Sequence, residues 1–419
     1  MPIKKVVIHL GMPKAGSRSI QETLFNNTDI LEKSGFRYLT EWGRNHLDTF
    51  HYLFSPNPVK PINTSHLGKP LANKKQYTKN AISKMLQVIN TSKCETLILS
   101  GEYFHELYRD TTIENIKHFV QEYFQNNDIE TKIIYIIRNP LTWMVSWLQQ
   151  RFPHNGYLNK DCDFFETVFV QYEGIINLNE NFPDSLKILK FEDACLDNDG
   201  FVEHFLKAID FPIEKLKGLK IYRANESRCM EIMEFTHFIE SIEPRYPYKD
   251  YRRRNPNRFS GDLNILRHIK GLKFDLSYQS KIELWERMQK LLQKIKESTG
   301  IDYTDYKILP QPSSEDEIYS QETIQGFIDS FPKLSFILQK HFLKFFEKKY
   351  METGQEKFKA LHFKTSVPWR IFNSKSKIFS LTKMKVLYRL LEIKESIRVY
   401  LPYSIKSFFK STGKVKNAA

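Results

Sequence analysis

A lysine set between two glycines, in Gly11-Met12-Pro13-Lys14-Ala15-Gly16, followed by Ser17-Arg18-Ser19, is the group of residues in this chain best suited to chemistry on an anion. The apolar run Val6-Val7-Ile8-His9-Leu10 before it reads as a strand, and a helical pattern follows from Ser17 to Asn27. Strand, glycine loop and helix start together form a cradle for phosphate. The loop turns backbone N–H groups inward, and the helix adds unpaired donors and the positive end of its dipole. The spacing is not that of a nucleotide-triphosphatase loop, in which lysine directly follows the second glycine. Here Ser17 and Arg18 follow Gly16, and Lys14 lies two residues before it, so the cation sits inside the loop.

A second constellation begins at Arg138-Asn139-Pro140, where Asn139 suits a helix N-cap and Pro140 the first helical position. Ser146 lies two turns into that helix, and helical side chains lean toward the N-terminus. Arg138 and Ser146 can therefore share one anion, so two separate phosphate-type sites are implied.

These residues must be positioned by the elements around them. Further strands are expected at 96–100, 132–137 and 186–191, with helical patterns between them at 80–89 and 113–124. This alternation predicts an α/β fold of three layers, P-loop-like, with a central parallel sheet and a helical C-terminal extension. Ligands of such sheets bind beyond the carboxyl ends of the strands. Lys14, Glu102 and Arg138 each follow a strand end, so they should converge. Residues 40–80, with Pro56, Pro58, Pro61 and Pro70, read as an irregular segment able to cover the site. A long helix is expected over Tyr278–Ser298, a linker over Gln311–Glu317, and another helix over Gln321–Lys349 broken near Pro332.

The paired loops resemble those of the sulfotransferases that use 3′-phosphoadenosine-5′-phosphosulfate (PAPS). Pro13-Lys14-Ala15-Gly16-Ser17-Arg18-Ser19 is similar to their 5′-phosphosulfate loop, and Arg138-Asn139-Pro140 through Ser146 to their 3′-phosphate loop. The arginine after Gly-Ser is closer to the glycan-directed branch. Leu189-Lys190-Phe191-Glu192-Asp193 and Asn225-Glu226-Ser227 are similar to stretches of bacterial members. The resemblance covers residues 1–240. It implies a PAPS-binding domain, expected over 1–310; helical pattern and charge add a helical extension at 311–354 and a basic amphipathic tail at 355–419. It also implies transfer of a sulfuryl group from PAPS to a hydroxyl of a carbohydrate or glycolipid, with PAP as product and no metal.

In that reading Lys14 stabilises the oxygen bridging phosphate and sulfate, while Pro13, Ala15, Gly16, Ser17, Arg18 and Ser19 hold the phosphosulfate. Arg138 and Ser146 hold the 3′-phosphate. The acceptor proton needs a base. Glu102 stands first, with His46 and His51 as the other candidates; His9 reads as a strand residue packed beside the loop. A P-loop kinase or triphosphatase, or a non-catalytic nucleotide-binding protein, remain the alternatives. The arginines at 245, 252, 253, 254 and 258 could face an anionic acceptor, though a charge run is more often a solvated face.

Composition narrows the class further. At 419 residues, 41% hydrophobic and 14% aromatic, the chain is globular rather than disordered. Cys94, Cys162, Cys195 and Cys229 are far apart and read as ordinary thiols of a reducing compartment, which points to a cytoplasmic protein. Of the net charge of +14, +12 lies in residues 355–419, where fifteen basic residues face three acidic ones. Ile378, Leu381, Met384, Leu387, Leu391, Ile397 and Leu401 recur there at near-helical spacing. A basic amphipathic segment of this kind suits the inner, anionic face of a membrane as a peripheral contact. A helical cap on the main domain and a docking site for a polyanion are the competing readings. No nucleic-acid module accompanies the charge.

Overall fold

The computed structural model describes residues 3–56, 74–102, 107–155, 164–223, 227–244, 255, 263–308, 318–362 and 365. The first half of the fold runs β1 (Lys5–Gly11), α1 (Ser17–Asn26), α2 (Thr28–Lys33), β2 (Phe36–Tyr38), α3 (Leu47–Phe54), α4 (Lys74–Thr91), β3 (Thr96–Gly101), α5 (Asp110–Tyr123) and β4 (Glu130–Ile137). It continues through α6 (Pro140–Asn155), α7 (Phe164–Asn181), β5 (Leu186–Lys190), α8 (Phe191–Leu196), α9 (Phe201–Ala208) and α10 (Ile213–Leu216). Four longer helices follow: α11 (Met230–Ile242), α12 (Tyr278–Thr299), α13 (Gln321–Ser330) and α14 (Phe336–Thr353).

The five strands form one parallel sheet in the order β2-β3-β1-β4-β5. Strands β1 and β3 are buried along almost their whole length, as β-branched and apolar runs covered on both faces must be. The expected three-layer α/β fold is therefore present, and β1 lies at its centre. The chain leaves β1 toward β3 on one side and later crosses to β4 on the other, which makes the carboxyl end of β1 the switch point where ligands bind.

Two differences from the sequence reading concern the sheet's flank. Strand β2 is three residues at the edge, too short for a periodic signal. The segment expected to be irregular over 40–80 contains a tight turn at Thr40–Trp42, helix α3 and the start of α4. Phe50 and Phe54, one turn apart, are fully buried and hold α3 against the end of β3, where a Cβ on Gly101 would press into the Phe50 ring. Pro58, Pro61 and Pro70 lie outside the described residues.

The core has two parts. The larger surrounds the sheet and reaches Tyr303, with α12 packed on α7. The smaller joins Ile232, Phe235 and Ile239 of α11 to Leu266, Phe327, Phe342 and Phe346. The helical extension expected over 311–354 thus packs on residues drawn from 229–269. Ser320 and Ser335 cap α13 and α14 by accepting from the amides of Thr323 and Leu338, and the expected break falls at a turn over Phe331–Lys333. Residues 356–362 are helical, and Phe358 and Leu361 are buried in the smaller core. The remaining tail from 366 onward, the linker at 311–317, and the arginines at 245, 252, 253, 254 and 258 lie outside the described residues. Among the described residues no helix is long and apolar enough to cross a membrane. Cys94, Cys195 and Cys229 are free thiols.

Phe358 is 3% exposed and sits edge-on to Tyr319 at 5.0 Å. Phe358→Ala is expected to cost about 3 kcal/mol in a urea titration of the full chain. A loss below about 1 kcal/mol would mean that this ring is not a core residue.

Candidate active site

The loop after β1 and the turn after β4 are neighbours because their strands pair in register, Gly11 beside Ile136 and Leu10 beside both Tyr135 and Gly101. Two residues of the first loop have left-handed backbone, Lys14 (φ 64°) and Gly16 (φ 83°). For lysine this conformation costs about 1 kcal/mol and must be held by its surroundings. The glycines are required by close approach. A Cβ on Gly11 would collide with Ser17 Oγ and lie 2.9 Å from His9 Nε2, and one on Gly16 would enter the Phe201 ring. Ala15 N–H donates to Met12 O (3.1 Å), which closes the turn. Alternating left-handed residues ahead of a helix N-terminus form a concavity of backbone donors suited to an oxyanion.

The turn after β4 is built as its sequence suggests. Asn139 Oδ1 accepts from the amides of Leu141 (3.0 Å) and Thr142 (3.4 Å), capping α6, whose first residue is Pro140. Glu192, at the start of α8, holds this turn from the β5 side. Its Oε1 accepts from Asn139 N (3.0 Å) and Thr142 Oγ1 (3.2 Å), and its Oε2 from the Tyr303 hydroxyl (2.9 Å). Tyr172 donates its hydroxyl to the Arg138 carbonyl. The Arg138 guanidinium stacks over Phe191 at 4.4 Å, donates from Nε to Thr142 Oγ1 (3.1 Å) and from Nη1 to the Lys14 carbonyl (2.6 Å). Its Nη2 has no protein partner among the described residues. Ser146, one face along α6, is partly buried with its hydroxyl likewise uncommitted there.

Lys14, Glu102, Arg18 and Arg138 come together electrostatically. Burial pushes the Lys14 ammonium below its usual range; Arg138, Arg267 and Arg228 add to that, and Glu102 opposes it. Burial likewise raises the Glu102 carboxyl, against the pull of Lys14 and Arg18. Both groups are thus shifted toward neutrality, with burial outweighing their mutual attraction. Arg228, ahead of α11, and Arg267, from the turn Asn264–His268, were not legible as site residues in the sequence. The other predicted loop residues lie in place: Pro13 and Ser19 partly buried, Ala15 buried, Arg18 exposed. Ser17 differs, since its hydroxyl is buried under the loop against Gly11.

The candidate histidines lie inside the fold. His46 is fully buried, stacked on Tyr38 at 4.9 Å, and bracketed to β3: its N–H donates to Ser100 O and its Nδ1 accepts from Ser100 N–H, both 3.0 Å. Burial pushes its imidazole down to about 3, so it is neutral with its basic lone pair spent. His51 is buried within α3. His9 is the packed strand residue the sequence suggested, with Nδ1 paired to Ser100 Oγ at 2.8 Å and burial holding its imidazole at about 3.

A parallel sheet of order 2-3-1-4-5 with a glycine loop and an arginine turn at its carboxyl edge defines an α/β protein of the phosphate-loop type. Residues 4–194 match the model of the sulfotransferase domain, which supports placing this segment in the sulfotransferase family. No curated protein matches the chain. A solved structure, the sulfotransferase from Alicyclobacillus acidocaldarius, aligns at 13% identity over 59% of this chain and 98% of that one, with a TM-score of 0.32.

Gly16→Ala is expected to destabilise the protein by at least about 1 kcal/mol, because alanine must adopt a positive φ and displace Phe201. Chemical denaturation measures this, and unchanged stability would contradict the left-handed assignment at Gly16.

Proposed function

We propose that the protein transfers a sulfuryl group from PAPS to a hydroxyl of a carbohydrate or glycolipid. The observation that carries this reading is the direct contact of the two anion loops, with the Arg138 guanidinium on the Lys14 carbonyl. Their spacing suits one small donor with phosphate at both ends. The residues present fit that donor: a cradle that a Cβ would fill at Gly11 and Gly16 and, among the described residues, an ammonium at Lys14 without an ion pair and uncommitted polar atoms at Arg138 Nη2 and Ser146. Pro13, Lys14, Ala15, Gly16, Arg18 and Ser19 would line the phosphosulfate end, Ser17 would serve it through its backbone because its hydroxyl is buried, and Arg138 with Ser146 would hold the 3′-phosphate. When bound, the donor supplies a sulfuryl group whose bond to the phosphate oxygen breaks as the acceptor oxygen attacks sulfur.

The chain's own residues do the rest. Glu102 takes the acceptor proton, and its raised pKa makes it a better base than an exposed glutamate. His46 and His51 are poorer candidates. His46 is buried, already accepts a hydrogen bond and is held near pKa 3, and serves to fix the end of β3 on which Glu102 sits. Lys14 offsets charge gathering on the departing phosphate, and Arg18, Arg228 and Arg267 add positive potential. The arginine directly after Gly16-Ser17, in which this loop is similar to that of the glycan-directed branch, supports a carbohydrate-type acceptor.

With labelled PAPS and candidate glycans, transfer is expected to persist in chelator and to fall about 10²–10³-fold in Lys14→Ala. The pH profile follows from the shifts. Glu102 must be ionised, so activity is lost as pH falls through a pKa above the ordinary glutamate range. Lys14 must be charged, so activity is lost as pH rises through a pKa below the ordinary lysine range. Glu102→Gln should lower kcat about 10²–10⁴-fold and abolish the acid limb. An intact acid limb in that variant would exclude Glu102 as the base. The basic tail is proposed to meet an anionic membrane surface from a cytoplasmic position. Full-length protein should then sediment with phosphatidylserine vesicles at low salt and release at high salt. Failure to sediment would refute the membrane contact.

A further inference from the structure

We propose that Trp143 is a positioning residue for the anion loop, acting with Arg138 to hold it from behind. The inference rests on the donor reading above for its ligand, while the brace itself stands on the geometry. Trp143 is 1% exposed, and its indole Nε1 donates to the Pro13 carbonyl at 2.7 Å. Arg138 Nη1 donates to the next carbonyl, that of Lys14, at 2.6 Å. Both side chains come from the β4–α6 segment, so two successive loop carbonyls are drawn toward one wall.

In a trans peptide the C=O and the following N–H point in opposite directions. Fixing the Pro13 carbonyl against Trp143 therefore aims the Lys14 N–H away from α6, and fixing the Lys14 carbonyl does the same for the Ala15 N–H. The Ala15 amide is spent on Met12 O, which leaves the Lys14 amide as the donor the brace directs. The same two bonds straddle Lys14, whose left-handed backbone (φ 64°) needs support from outside the loop.

The local sequence explains why a tryptophan can do this. Asn139 caps α6, and the Trp143 amide donates to Asn139 O at 2.8 Å, placing Trp143 one turn into the helix. A side chain there leans back over the helix start and toward the neighbouring loop. Trp147, stacked on it at 6.2 Å, helps fix the indole plane. Phenylalanine at 143 would fill much of the space but offer no donor.

The test removes that donor alone. In full-length protein, Trp143 is replaced by benzothienylalanine, in which sulfur stands where the indole N–H was, and Trp143→Phe serves as the encoded counterpart. PAP affinity is read by calorimetry, PAPS and acceptor KM by steady-state kinetics, and loop order by hydrogen exchange of peptides spanning 11–18. The isostere is expected to weaken PAP about five- to tenfold. It should raise the PAPS KM in step, leave the acceptor KM unchanged, lower the melting temperature by no more than about 2–4 °C, and speed loop exchange. Wild-type affinity in the isostere overturns the proposal. A wild-type protein that binds no PAP overturns the donor reading instead, and loop exchange alone then decides the brace: unchanged exchange refutes it.

Discussion

Parallel pairing of β4 to β1 is the constraint on which the site depends. With Gly11 beside Ile136, the chain emerges from both strands at the same edge, and the loop after β1 meets the turn after β4 within hydrogen-bond distance. A slip of one residue would turn every side chain of β4 to the opposite face and carry Arg138 away from the loop. The register is held because side chains on both faces of the strands are packed, so a slip would put each of them against the wrong helix layer. Glu192 then locks the turn. One carboxylate accepts from Asn139 N, Thr142 Oγ1 and the Tyr303 hydroxyl, and so ties β4, α6, α8 and the segment after α12 into one bracket. An ionised carboxylate that receives several donors is well satisfied even when half-buried.

The electrostatics of the site are unbalanced in a way that a ligand would correct. Among the described residues Lys14 carries no ion pair, and Arg138, Arg228 and Arg267 all act on it with the same sign, against the carboxylate of Glu102. Holding like charges together in a partly buried place lowers stability. A multiply charged anion would relieve the repulsion, and binding energy gained this way adds to the stability of the folded state. The neutral histidines fit this picture. His9 and His46, buried beneath the loops and paired to Ser100, place polar atoms around the strand ends without adding further charge.

The sequence carried the elements whose signals are local. The glycine loop, the Asn139-Pro140 helix start, the long α12 and the break at Pro332 are each written in a few adjacent residues, and the structure has them where those residues stand. The convergence of Lys14, Glu102 and Arg138 was also legible, because it follows from parallel topology alone. What was hidden depends on contacts between distant segments. Helix α3 escaped because nearby prolines obscured its short apolar stripe. Arg228, directly after the Asn225-Glu226-Ser227 stretch, and Arg267, in the turn Asn264–His268, carry no local signal of their own and act on Lys14 through space. Trp143 carries no sequence signal of its role, since nothing in its neighbours indicates that its N–H faces the Pro13 carbonyl. The burial of the Ser17 hydroxyl follows from Gly11 being the residue it packs on, a through-space relation.

The smaller core bears on function through this same packing. The family match ends at residue 194, yet Glu192 is completed by Tyr303, and two of the cations acting on Lys14 come from residues 228 and 267. Helix α11 lies against α6, and Gln149 of α6 donates to the Arg228 carbonyl at 3.3 Å. The segment carrying Arg228 is therefore anchored to the same helix that begins at the arginine turn and bears Trp143 and Ser146. The aromatic cluster of α11, α13 and α14 holds α11 from its far side, through Phe235 against Phe342 and Phe345. Part of the positive charge acting on Lys14 thus depends on a hydrophobic assembly remote in sequence from the loop it serves. A change in that assembly that shifted α11 would alter the potential at Lys14 through Arg228.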